Sequence, residues 1–177
     1  MEKKDLEFRD LKAEEIDVRV QQVIEGKGAV LLLYKDARVD MNILDETVGK
    51  LNWKKEYTRD NANCKVSIYD ENKKEWVSKE DTGTESNNEA EKGLASDSFK
   101  RSCFCWGIGR ELYTSPFIWV KWEDLTVETD KNGKSKLKDV FIVESIKIEN
   151  KKITLLSIKN NKGKRVYTYS EKGIGNG

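Results

Sequence analysis

Residues 95–110 read Ala95-Ser-Asp-Ser-Phe-Lys100-Arg101-Ser-Cys-Phe-Cys-Trp106-Gly-Ile-Gly-Arg110, and their spacing predicts the end of a long helix. Extended back to Glu89, the segment sets Ala90, Leu94, Phe99, Cys103 and Trp106 on one face. Lys92, Ser96 and Lys100 fall on another, and Gly107 and Gly109 stop the helix. Two adjacent cations sit mid-helix between apolar positions. A helix that packs Phe99 and Trp106 cannot turn both Lys100 and Arg101 inward, so they face a groove or solvent. With Lys92 two turns upstream, such a groove would attract a phosphate backbone. A merely solvated charged face is the plainer alternative.

Upstream, Asp81 to Asn88 (DTGTESNN) is a polar loop. Before it, Trp53, Tyr57, Val66, Ile68, Trp76 and Val77 mark two or three antiparallel strands, with Asp70-Glu-Asn-Lys as a hairpin turn. Ala29-Val-Leu-Leu-Leu-Tyr34 is a short apolar strand, and Asp36 caps a helix that buries Val39, Ile43, Leu44 and Val48 before Gly49. Val18, Val20 and Val23 suggest another strand, after a short helix capped by Asp10. Downstream of Pro116 come Phe117-Ile-Trp-Val-Lys-Trp122, a charged linker with Asn132-Gly133, and β-like runs at Val140–Ile148, Lys152–Ile158 and Lys164–Tyr169.

The composition is 37% charged and 37% hydrophobic with five Trp, six Tyr and five Phe, which fits one folded domain with a densely charged surface. Histidine is absent, so Ser-His-Asp and Cys-His catalysis and histidine-ligated metal sites are excluded. Cys64, Cys103 and Cys105 form no C-x-x-C pair and read as free thiols of a reducing, cytoplasmic compartment. There is neither a signal-peptide pattern at Met1-Glu-Lys-Lys-Asp nor a run of apolar residues long enough for a membrane span.

The overall charge of +1 hides a segregation: residues 131–177 carry twelve Lys or Arg against four Asp or Glu, a net of +8, leaving about −7 before them. A basic groove in the first part must therefore be assembled locally.

Rival chemistries are poorly supported. Gly133-Lys134-Ser135 echoes the end of a phosphate-binding P-loop, but Glu128 stands where that motif needs Gly. Cys103 and Cys105 point to different helix faces and lack ligand partners. Asp70, Glu71, Glu75, Glu80 and Asp81 could in principle serve a metal-dependent nuclease, yet they read better as a charged strand edge that discourages aggregation. Trp53, Trp76 and Trp106 read as core or subunit-contact residues rather than base-stacking ones.

The pattern A-D-S-x-K-R-A-x-x-x-W-G-I-G-R-x-L-Y, met with small departures from Ala95 to Tyr113, resembles the central helix of Rad52-superfamily annealing proteins of the DdrA and Sak type, found in phages and bacteria. The resemblance runs back through Glu89-Ala-Glu-Lys-Gly and Trp76 to Ala37, Leu44-Asp, Val48-Gly49 and Asn52-Trp53, covering about Leu11 to Trp119. It implies an α+β fold: a curved antiparallel β-sheet packed on a long helix (a β-β-β-α core, residues 1–122). The β-like runs beyond it read as a small basic C-terminal β-meander (residues 123–177), an addition outside that shared core.

The same resemblance implies ATP-independent annealing of complementary single strands in recombination and repair by a ring or helical homo-oligomer, with no cofactor, metal or catalytic residue. Its partner is single-stranded DNA, and a phage exonuclease or a single-strand-binding protein is the kind of protein partner it admits. The implied groove residues are Arg19, Tyr34 and the Lys100-Arg101 pair, with Lys92 added by helical spacing; a core aromatic is the plainer reading of Tyr34. Phe104 stands where some relatives carry another groove arginine, so Lys65, Lys92 or the basic C-terminus is expected to compensate. A protein that coats single strands without annealing them is the nearest alternative.

Overall fold

The computed structural model describes residues 6–84, 90–129, 131 and 135–173, the side chains of residues 90–92 excepted. In chain order the elements are β1 (Asp17–Ile24), β2 (Gly28–Tyr34), α1 (Ala37–Val48), β3 (Trp53–Thr58), β4 (Asn63–Asp70), β5 (Glu75–Thr82), α2 (Ala90–Trp106), β6 (Ile118–Lys121), β7 (Val127–Thr129), β8 (Ser135–Leu137), β9 (Phe141–Glu149), β10 (Lys152–Asn160) and β11 (Arg165–Ser170). The architecture is α+β and antiparallel, as expected. The chain forms two compact units, Met1–Asp10 with Asp36–Arg110 and Leu11–Lys35 with Glu111–Gly177.

In the first unit, β3, β4 and β5 make a three-stranded meander. Alternation along β4 turns Cys64, Val66 and Ile68 to one face, where they are buried, and α2 supplies Leu94, Phe99 and Cys103. Phe99 is 1% exposed and stacks on Trp53 at 6.2 Å between ring centroids. Trp53 is fixed in turn by its indole N–H, which donates to Asp45 at 2.7 Å.

The β4–β5 turn forms because the Asp70 carboxylate accepts the N–H groups of Asn72 and Lys73 at 2.9 and 3.2 Å. Helix α1 starts at Asp36, whose carboxylate accepts the Arg38 N–H at 2.8 Å. The polar stretch after β5 begins tethered: Thr84 donates its N–H to Asp97 at 2.9 Å. A Cβ on Gly83 would lie 2.6 Å from the Ser98 nitrogen, so only glycine lets the strand approach α2 this closely. Residues 85–88 of the expected loop lie outside the described residues.

The second unit is a six-stranded antiparallel sheet in the order β11-β10-β9-β1-β2-β6. The expected C-terminal meander, β9–β11, continues the sheet of β1 and β2 through the pair Asp17–Ile142. The sheet curls around its own core of Ala29, Leu31, Ile118, Val120, Phe141, Ile153, Leu156 and Ile158. Its curvature brings the outermost strands together, the Tyr167 hydroxyl donating to the Phe117 carbonyl at 3.1 Å.

The N-terminal turn departs from expectation. It is a 3-10 turn at Ala13–Glu15 that follows Lys12, whose N–H donates to Glu15 at 2.9 Å; a polar side chain three residues on satisfies the donor that an Asp10 cap was expected to reach. The P-loop echo at Gly133-Lys134 lies outside the described residues.

Candidate nucleic-acid interface

Strand alternation places Arg19 and Tyr34 together. Val18 and Val20 pack on the core of the six-stranded sheet, so Arg19 between them points to the other face. It pairs across strands with Leu32, and Tyr34, two residues on, shares that face. The Arg19 guanidinium stands 5.3 Å from the centroid of the Tyr34 ring, a cation–π contact that orients the charge while leaving it in solvent. Tyr34 is 37% exposed; it is a surface aromatic beside a cation, not a core residue.

Helix α2 places Lys100 and Arg101 about 100° apart around its axis. Ser98 and Ser102, both buried, anchor the helix: the Ser98 hydroxyl donates to the Asn61 carbonyl at 2.9 Å. The Ser102 hydroxyl bonds the Cys64 carbonyl and accepts the Asp81 N–H at 3.1 Å. Both neighbouring cations are half-buried at fixed helical positions. The charge of Lys100 reaches Asp36, whose carboxyl is held below its usual range mainly by hydrogen bonds from Arg38 and in smaller part by Lys100.

Arg101 faces β5, where its Nε lies 3.5 Å from an Asp81 carboxylate oxygen. That nitrogen is buried without a hydrogen-bond partner, so charge attraction holds the pair without an aligned N–H···O contact. Partly exposed pairs of this kind contribute about 0–1 kcal/mol. Lys92 belongs to the first turn of α2, and its side chain lies outside the described residues.

Two cations overlooked in the sequence gather at the far end of α2. Lys79 donates to the Cys105 carbonyl at 2.9 Å and covers the Trp106 ring at 4.7 Å. Arg110 donates to the carbonyls of Phe104 and Cys105 at 2.8 and 2.9 Å and stands 5.5 Å from the Phe104 ring. They satisfy the carbonyls at the helix C-terminus and add positive charge there. The signal was available: Arg110 follows two glycines that reverse the chain onto the helix end. Lys65, by contrast, pairs with Glu56 at 3.5 Å.

Cys64 and Cys103 are buried and Cys105 is half-buried. Burial pushes Cys64 up to about 11, and burial, then the Asp81 charge, also raises Cys105. Among the described residues, no group of three or more Cys, Asp or Glu is placed to hold a metal ion, and no helix is long and apolar enough to cross a membrane.

Neither the comparison with curated proteins nor that with solved structures gives a match. The family described as Rad52/22 family double-strand break repair protein matches residues 4–131, a span that contains Arg19, Tyr34 and the whole of α2 with its Lys100-Arg101 pair. The chain therefore belongs to the Rad52/22 family.

Proposed function

We propose that this protein binds single-stranded DNA and anneals complementary strands without ATP, acting as a homo-oligomeric ring or filament. The family's role in double-strand break repair sets the context. The observation that carries the reading is the state of the Lys100-Arg101 pair: two adjacent cations on a helix locked from behind by buried Phe99, Ser98 and Ser102, with the Asp81 carboxylate beside Arg101. The second unit carries an oriented cation of its own, Arg19 held over Tyr34.

Such groups grip phosphates irrespective of sequence, and base edges left exposed then find a complementary strand. Base pairing supplies both specificity and driving force, so the process calls for no catalytic residue. Repetition around an oligomer makes a few cations per subunit act together on one long strand.

The test is ATP-free annealing of two complementary fluorescent oligonucleotides at one fixed salt concentration, comparing wild type with Lys100→Ala/Arg101→Ala. Acceleration by wild type and its loss in a folded double variant support the proposal. A double variant that anneals normally overturns the assignment of these residues. Binding by wild type without acceleration makes the protein a coating module instead.

A further inference from the structure

The outward face of the six-stranded sheet carries a second feature beside Arg19. Because Ile118 and Val120 on β6 are core residues paired with Leu31 and Ala29, Trp119 between them points outward, opposite Val30. Phe117 shares that side, its ring stacked on Trp119 at 6.5 Å with 12° between the planes. Leu32 of β2, the cross-strand partner of Arg19, lies between the aromatic pair and the guanidinium. At two strand spacings, the backbones carrying them are about 10 Å apart.

Phe117 is 70% exposed, with its backbone and one face of its ring in contact with the protein. Trp119 lies flat over Gly28, where a Cβ would come within 2.6 Å of the indole. The Phe117 carbonyl accepts the Tyr167 hydroxyl, and Pro116 restricts the backbone before it. A lone exposed apolar residue needs no explanation. An aromatic stack with one ring open to solvent, on a strand whose backbone runs about 10 Å from that of Arg19 and on the same face as that oriented cation, has the two elements that bind a nucleotide: a surface for the base and a charge for its phosphate.

We infer that Phe117, backed by Trp119, is a base-stacking platform for single-stranded nucleic acid whose phosphate backbone runs along Arg19 and Tyr34. This rests on the proposed single-strand binding and adds a contact to the bases.

The experiment measures binding of the full chain to an oligothymidylate and to an abasic oligonucleotide of equal length at one salt concentration, for wild type, Phe117→Ala and Phe117→Trp. Wild type is expected to prefer the oligothymidylate. Phe117→Ala should lose roughly 5- to 150-fold in affinity for it and bind the abasic strand as before, while Phe117→Trp keeps the preference. Equal wild-type binding of both strands, or undiminished oligothymidylate binding by Phe117→Ala, overturns the platform and leaves phosphate binding standing. A wild type that binds neither strand overturns single-strand binding and the platform with it. Equal loss of both ligands by Phe117→Ala, together with a fall in sedimentation mass, overturns the platform and makes this face a contact between copies of the chain.

Discussion

The two sheets treat their solvent faces in opposite ways. On the three-stranded sheet, the face turned away from α2 is saturated by its own polar groups. Ser67 and Ser78 bond at 2.8 Å, Asn63 bonds Glu80 and Thr82 at 2.9 Å, Lys65 meets Glu56, and Lys54 covers Trp76 at 5.0 Å. On the six-stranded sheet, the face turned away from the core presents Arg19, Tyr34 and Phe117, whose donors and rings are only partly engaged within the protein. Both surfaces arise from the same period-two alternation. What separates them is whether cross-strand neighbours complete one another. The first unit accordingly carries its candidate cations on a helix, and the second carries them on its sheet.

The most severe test of this division is core truncation in each unit. Phe99→Ala should cost about 3–5 kcal/mol and Leu156→Ala about 2–5 kcal/mol, since both side chains are almost fully buried. Hydrogen exchange should show protection lost first around β4 and α2 for the former and around β9–β11 for the latter. Uniform loss across the chain in both variants would make the two units one energetic body.

Next in size is Ser102→Ala. It removes a hydroxyl that satisfies both the Cys64 carbonyl and the Asp81 N–H, and urea unfolding should register a loss of about 1–3 kcal/mol.

Asp36→Ala should cost about 0.5–2 kcal/mol through the lost helix cap. Because the Asp36 carboxyl is held below its ordinary value of 3.8 by Arg38, its contribution is fully present above that value. It is lost as pH falls through the lowered folded value. Stability measured between about pH 5 and pH 2 should therefore drop less in Asp36→Ala than in wild type; equal slopes would remove Asp36 from the account.

The smallest effect is expected for Asp81→Asn. Stability should change by about 1 kcal/mol or less, while single-strand affinity should rise a few-fold once Arg101 is released from its counter-charge. Unchanged affinity would mean that Arg101 is not a phosphate contact.

The sequence reveals the first unit almost completely, because β3, β4, β5 and α2 follow one another and pair with their chain neighbours. Alternation, turn residues and caps are local signals, and these elements obey them. The second unit is assembled from two segments, Leu11–Lys35 and Glu111–Gly177, with the whole of α1 to α2 between them, and nothing near Asp17 announces its pairing with Ile142. The site divides likewise. Lys100 and Arg101 stand out between apolar positions of one helix. The Arg101–Asp81 pair, the Arg110 contact with the end of α2 and the stack of Phe117 on Trp119 depend on how separate segments meet.

The join between Asp17 and Ile142 also bears on how the chain is made. The first hairpin, β1 and β2, is made before β9, which pairs with it at Asp17–Ile142 and leaves the ribosome only after the whole β3–α2 segment. At about 5–20 residues per second, the β1 edge stays open for several seconds at least, in a strand whose Val18 and Val20 pack against the finished core. Until its distant neighbour arrives, the nascent hairpin presents an unpaired strand edge of the kind that templates wrong pairing.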